Sequence, residues 1–226
     1  MFIGHFAVGF AGKRFAPRTN LALLIAAALF SDMLWPIFLL LGWEKVRIDP
    51  GNTRFTPLDL VWFPWSHSLL MTLVWATAFA LIYYAFARYR AGACVIWIAV
   101  LSHWILDWIT HRPDMPLYPG SACYGLGLWN SIPGTLVVEL SMFAAGLWLY
   151  MRTTRPRDRI GRYAFFAFAA LLLLLYVGDR FSSPPSGTGD IAWPGLIAEG
   201  ILLPWAWWFD HHRALRIGEQ KIATPA

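Results

Sequence analysis

His103 and Asp107 lie four residues apart inside the apolar run 94–110, a spacing that stacks two side chains on one helical face. A carboxylate within a membrane span is expensive and usually needs a partner, so it often marks a functional site. Asp32 sits in a second apolar run and His67 at the start of a third. Neutral imidazole with carboxylate is the ligand set of zinc and similar divalent metals. These residue types predict a polar, metal-holding site inside a membrane.

The elements that must position them are transmembrane helices. Of the 226 residues 58% are hydrophobic and only 14% charged, with a mean hydropathy of +0.51, which excludes an ordinary soluble domain. The pattern predicts an all-α, polytopic transmembrane helix bundle, one integral membrane domain over 1–226. A span needs about 20 apolar residues. Six such runs are present, at 20–42, 64–88, 91–111, 134–151, 160–181 and 192–212. A shorter apolar helix, 2–12, precedes them and is expected to be half-inserted or interfacial. Many of the 14 Trp, among them Trp35, Trp43, Trp62, Trp65, Trp129 and Trp193, fall near run ends, as an interfacial belt requires. The start of the chain lacks a basic region, so no signal peptide is expected.

Basic and near-neutral gaps alternate along the chain. Lys13, Arg14 and Arg18, then Arg88 and Arg90, then the arginines of 152–162, then Arg213, Arg216 and Lys221 mark one side. The positive-inside rule places that side, and both termini, in the cytoplasm of a bacterial inner membrane. The net charge of +5 is thus spent on topology, and no nucleic-acid partner is expected. At about 1.5 Å per residue, Asp32 and His103 both stand about 18 Å above the inner face and Asp107 about 24 Å. His67, Glu139 and Glu199 descend about 5, 8 and 10 Å from the outer face. His5 would join them from below. The six groups other than His5 fall in the outer half of the bilayer, predicting a pocket roofed by 43–63 and 112–133. Arg112, just past the helix end enforced by Pro113, would stand at the rim as a donor fork for phosphate.

Gly4-His5, Ser31-Asp32, Ser66-His67-Ser68 and His103-x-x-x-Asp107 together resemble bacterial inner-membrane proteins described as membrane-bound, metal-dependent hydrolases, some of them LexA-regulated. More distantly the pattern is similar to that of zinc-dependent phospholipase C. The resemblance covers the first half of the chain, to about Pro119. It implies His5, Asp32, His67, His103 and Asp107 as metal ligands. That family carries Pro-Asp-x-Asp where this chain has Ser31-Asp32-Met33-Leu34, and a fuller His-Arg-x-x-Thr-His-Ser where it has residues 63–68. One Asp, one His and an Arg are absent, which implies one ion rather than two.

The reading that follows is a hydrolase using one divalent ion, zinc first, to activate water. Glu139 would be the general base, and Arg112 would stabilise charge on a phosphoryl or acyl oxygen. A lipid-linked, phosphodiester or phospholipid substrate would enter from the periplasmic leaflet. The alternative is a transporter using the same acids and histidines as a proton or cation relay. A structural polar pair tying two spans together is the competing account of His103 and Asp107, but their place within a membrane helix favours function. Asp210-His211-His212-Arg213 reads as a solvated helix end.

Overall fold

The computed structural model describes residues 1–216, and Lys221 of the basic tail lies outside them. Nine α-helices carry the described residues: α1 (Ile3–Phe15), α2 (Leu21–Ala28), α3 (Phe30–Leu40), α4 (Pro64–His67), α5 (Leu69–Ala87), α6 (Arg90–Thr110), α7 (Ile132–Thr153), α8 (Arg159–Gly178) and α9 (Gly189–His211). The all-α membrane bundle is the architecture expected. Four helices, α5 to α8, are long and apolar enough to cross a bilayer, and α2 with α3 makes a fifth, bent by 59°. The sixth expected span, α9, is 23 residues long but carries Asp190, Glu199 and Asp210 and two internal prolines. Leu81, Phe86 and Leu174 are 63%, 88% and 69% exposed, so these faces suit lipid rather than water.

Two expected spans are broken, and both breaks fall beside site residues. Run 20–42 divides at Leu29, three residues before Asp32. Run 64–88 divides at Ser68, whose hydroxyl accepts from Met71 N and starts α5 directly after His67. The buried residues of α5 are Thr72, Ala76 and Ala80, a four-residue spacing of small side chains that lets α6 pack closely.

The short first helix lies inside the bundle rather than on its surface. Nine of the 13 residues of α1 are buried, and it packs on α7, α2 and α6 at the centre of the bundle. Glycines allow this: a Cβ on Gly146 of α7 would lie 2.5 Å from the Ala7 carbonyl, and one on Gly9 would lie 2.8 Å from Ile25 Cα. The helix runs from the site toward Lys13, so His5 does stand on the site side. Met1 is buried beside Asp107, at the opposite end of α1 from Lys13.

The basic gaps gather at one end. Lys13 Nζ meets Asp210 Oδ2 at 2.6 Å, Thr19 bonds Tyr83, and the short strands β5 (Thr154–Pro156) and β6 (Arg213–Leu215), numbered in chain order, pair there. Asp210 is buried, so the last helix end is only partly the solvated end expected. The near-neutral gaps form the opposite end. There β1 (Lys45–Ile48) and β2 (Leu58–Trp62) make a hairpin, and β3 (Met115–Pro116) pairs with β4 (Cys123–Tyr124).

Candidate metal centre

Asp107 is the hub. His5 Nε2 lies 3.1 Å from its Oδ1, and His103 Nε2 lies 3.0 Å from its Oδ2. His67 Nε2 and His111 Nε2 approach the same Oδ2 to 3.8 and 3.9 Å. Asp32 Oδ1 lies 3.5 Å from both His67 Nε2 and His103 Nε2. The rings of His5 and His103 stack at 3.8 Å. All five expected ligands therefore converge, from α1, α3, α4 and α6. Met1 also reaches the hub, its amino group 2.5 Å from Asp107 Oδ1.

The tautomers can be argued from the far side of each ring. His103 Nδ1 lies 2.8 Å from the Ala28 carbonyl, which can only accept. That carbonyl ends α2, where intrahelical partners run out, so the break at Leu29 supplies the acceptor. His103 Nε2 then carries a lone pair in its neutral form. It is buried, has no hydrogen-bond partner, and faces two carboxylates. His67 repeats the arrangement: its Nδ1 lies 2.6 Å from Ser66 Oγ, which donates to Glu44 Oε2 at 2.6 Å. Glu44 also accepts from Ser66 N, and burial pushes its carboxyl above the ordinary range. His111 does likewise, with Nδ1 2.9 Å from Asp114 Oδ1. Histidine metal ligands typically donate their other N–H to a carbonyl or carboxylate in this way.

The donor set fits a divalent ion. Ligands about 2.1 Å from a tetrahedral centre stand about 3.4 Å from one another, and the spacings here run from 3.0 to 3.9 Å. Two overlapping triplets, His5–His103–Asp107 and Asp32–His67–His103, each keep their ligand atoms within 4.8 Å. They share His103, which favours a single compact site.

A cavity of about 190 Å³ opens on this cluster. Its walls include Asp32, His67, Asp107 and His111 below, and Phe55, Leu58 and Trp129 from the two outer gaps above. The roof is thus the one expected. Two other expectations are not met in place. Glu139 does not line the cavity: its Oε2 accepts from the amides of Phe2 and Gly4, capping the first turn of α1. Arg112 is bound to Asp59 and Asp114, away from the cavity walls. Glu199 lines a neighbouring cavity instead.

Four further residues contribute to the site. His111 is four residues beyond Asp107, and the continuing 103–107–111 face is a readable signal. Glu44 lies in the 43–63 gap, and no spacing connects it to His67. Trp35 and Trp129 were assigned to the interfacial belt, yet both line the cavity with buried, unpartnered indole nitrogens. Trp43, Trp62, Trp65 and Trp193, exposed by 56%, 39%, 40% and 57%, suit the belt.

No curated protein and no solved structure matches the chain. A family model described as YdjM inner membrane protein matches residues 1–182. That match spans well over half of the 226 residues, and with several apolar helices in one bundle it establishes that the chain is a multi-pass member of the YdjM inner membrane protein family.

Proposed function

We propose that the chain is a membrane-embedded, metal-dependent hydrolase of a lipid-linked substrate, a phosphodiester or phospholipid first. The observation that supports this most is the pair His67 and His103: each commits Nδ1 to an acceptor and turns Nε2 toward Asp32 and Asp107. Asp32, His67, His103 and Asp107 hold one divalent ion, zinc first, with His5 and His111 adjoining. When bound, such an ion supplies Lewis acidity, acidifying water and drawing charge from a phosphoryl or acyl oxygen.

The residues themselves do the rest. The fixed imidazoles present their lone pairs without reorganisation. Asp32, whose side chain is 36% exposed, is the accessible carboxylate on the cavity wall and accepts the proton of the attacking water. Trp35 and Trp129 offer indole N–H donors to the developing oxyanion, the part first given to Arg112. Glu139 positions His5 by holding the start of α1. The basic end faces the cytoplasm under the positive-inside rule, which opens the cavity toward the periplasmic leaflet.

Metal analysis of the purified protein tests this reading. Stoichiometric zinc is expected, lost in His103→Ala and in Asp107→Asn, together with release of a phosphorylated headgroup from phospholipid vesicles. Protein that takes up no divalent metal from excess zinc, yet moves an ion or solute across vesicles, would instead support the transporter alternative.

A further inference from the structure

A second cavity, about 260 Å³, lies between α3 and α9. Leu29, Pro36, Ile191, Leu202 and Leu203 make its walls largely apolar. It adjoins the catalytic cavity, since Phe2, Asp32 and Trp35 line both. Its one further acid, Glu199, feels the charge of Asp32, so the polar groups gather toward that common neck. At this size it falls below the roughly 300–1,000 Å³ of ordinary ligand pockets, too narrow for a whole lipid. α3 is the outer half of the bent span, and Ile37, Ile197 and Ile201 beside the groove are 41%, 59% and 55% exposed, an apolar rim that suits lipid.

We propose that the α3–α9 groove holds one acyl chain of a membrane lipid whose polar head reaches the Asp32–His67 cavity through the neck at Trp35. This rests on the hydrolase reading for the fate of the head, while the seating of the chain is independent of it. The bend at Leu29 is what makes the path possible. It turns α3 away from α2, so a chain lying against Pro36 and Leu202 ends where Asp32 begins. The buried indole nitrogen of Trp35, without a hydrogen-bond partner among the described residues, stands at the neck, so the donor assigned above to the oxyanion lies where head and tail would meet. The groove therefore selects substrates with at least one long chain and admits them sideways from the bilayer.

The test uses the full-length protein in vesicles of phosphatidylethanolamine and phosphatidylglycerol, doped with a phospholipid carrying a photoreactive diazirine at one acyl end. After illumination, labelled peptides are mapped by mass spectrometry, and zinc is measured on the same preparation. Labelling should concentrate on α3 and α9. It should fall about tenfold in Gly195→Leu, where an added Cβ meets nothing within 4 Å, and in Ala198→Trp, with zinc content unchanged in both. Labelling spread evenly onto the exposed face of α5, at Leu81 and Phe86, overturns the proposal, as does undiminished labelling in both filled variants. Concentrated labelling without bound zinc keeps the groove and removes the hydrolase. Zinc with uniform labelling does the reverse.

Discussion

Two polar clusters are buried in this bundle, one at each end of α1, and they are built on opposite terms. At the basic end, Lys13 bonds Asp210 and the Thr19 carbonyl, Tyr150 donates to Asp210 Oδ1 at 2.7 Å, and Leu21 N donates to its Oδ2. One cation meets one anion, and all three side chains find partners. At the outer end, two acids face four imidazoles and the Met1 amino group; His103 Nε2 has carboxylates within 3.0 and 3.5 Å but no hydrogen bond, and His5 Nδ1 has no hydrogen-bond partner among the described residues. One cluster is complete without a ligand, and the other is not. Both clusters gather charged side chains inside the bundle, so satisfaction of donors and acceptors is what separates a staple between helices from a place for chemistry.

Variants at the two ends sharpen this contrast. The largest effect is expected from Asp210→Ala, which strands Lys13 as a buried unpaired charge and should destabilise the fold by about 3–5 kcal/mol. Thermal unfolding in detergent measures it, and the surviving folded protein should keep its zinc. The double variant Lys13→Met with Asp210→Leu should recover most of the loss. Asp107→Asn should weaken zinc binding by more than about 100-fold in the protein that remains folded, with some loss of stability because the buried Met1 amino group 2.5 Å away loses its carboxylate partner. A reversed pattern, with zinc lost from Asp210→Ala and kept in Asp107→Asn, would erase the distinction.

Gly146→Val probes the link between the clusters. The added carbons collide with the Ala7 backbone, so a loss of about 1–3 kcal/mol is expected, accompanied by weaker zinc binding as His5 shifts. The smallest effect belongs to Asp114→Asn, which leaves His111 in place but loosens its orientation. About a tenfold fall in zinc affinity is expected, and titration against a competing chelator would show it. Zinc affinity indifferent to both Glu44→Gln and Asp114→Asn would remove the outer-sphere argument.

Much of the site was legible before the fold was known. The i, i+4 pair His103–Asp107 and the depths of Asp32 and His67 follow from helix rise alone, because regular helices convert sequence distance into height. Legibility stopped where regularity stopped. The breaks at Leu29 and Ser68 carry no signal beyond ordinary apolar residues and a serine, yet they create the acceptor for His103 and the turn that aims His67. Glu44 reaches Ser66 through a hairpin whose pairing is tertiary. Glu139 and Arg112 were placed at the right height, but height does not reveal which way a side chain turns or which neighbour claims it first. The seat of the first helix inside the bundle was not legible, because length alone cannot show that Gly146 on α7 and its own Gly9, facing α2, leave it room.

That central seat sets an order of assembly. α1 packs against residues 132–153, which come much later in the chain, so its seat is complete only once α7 is in place. His5 and the start of α1 settle into the site only with that helix. A chain cut short before α7 would carry all the proposed ligands and still lack the piece that closes the centre.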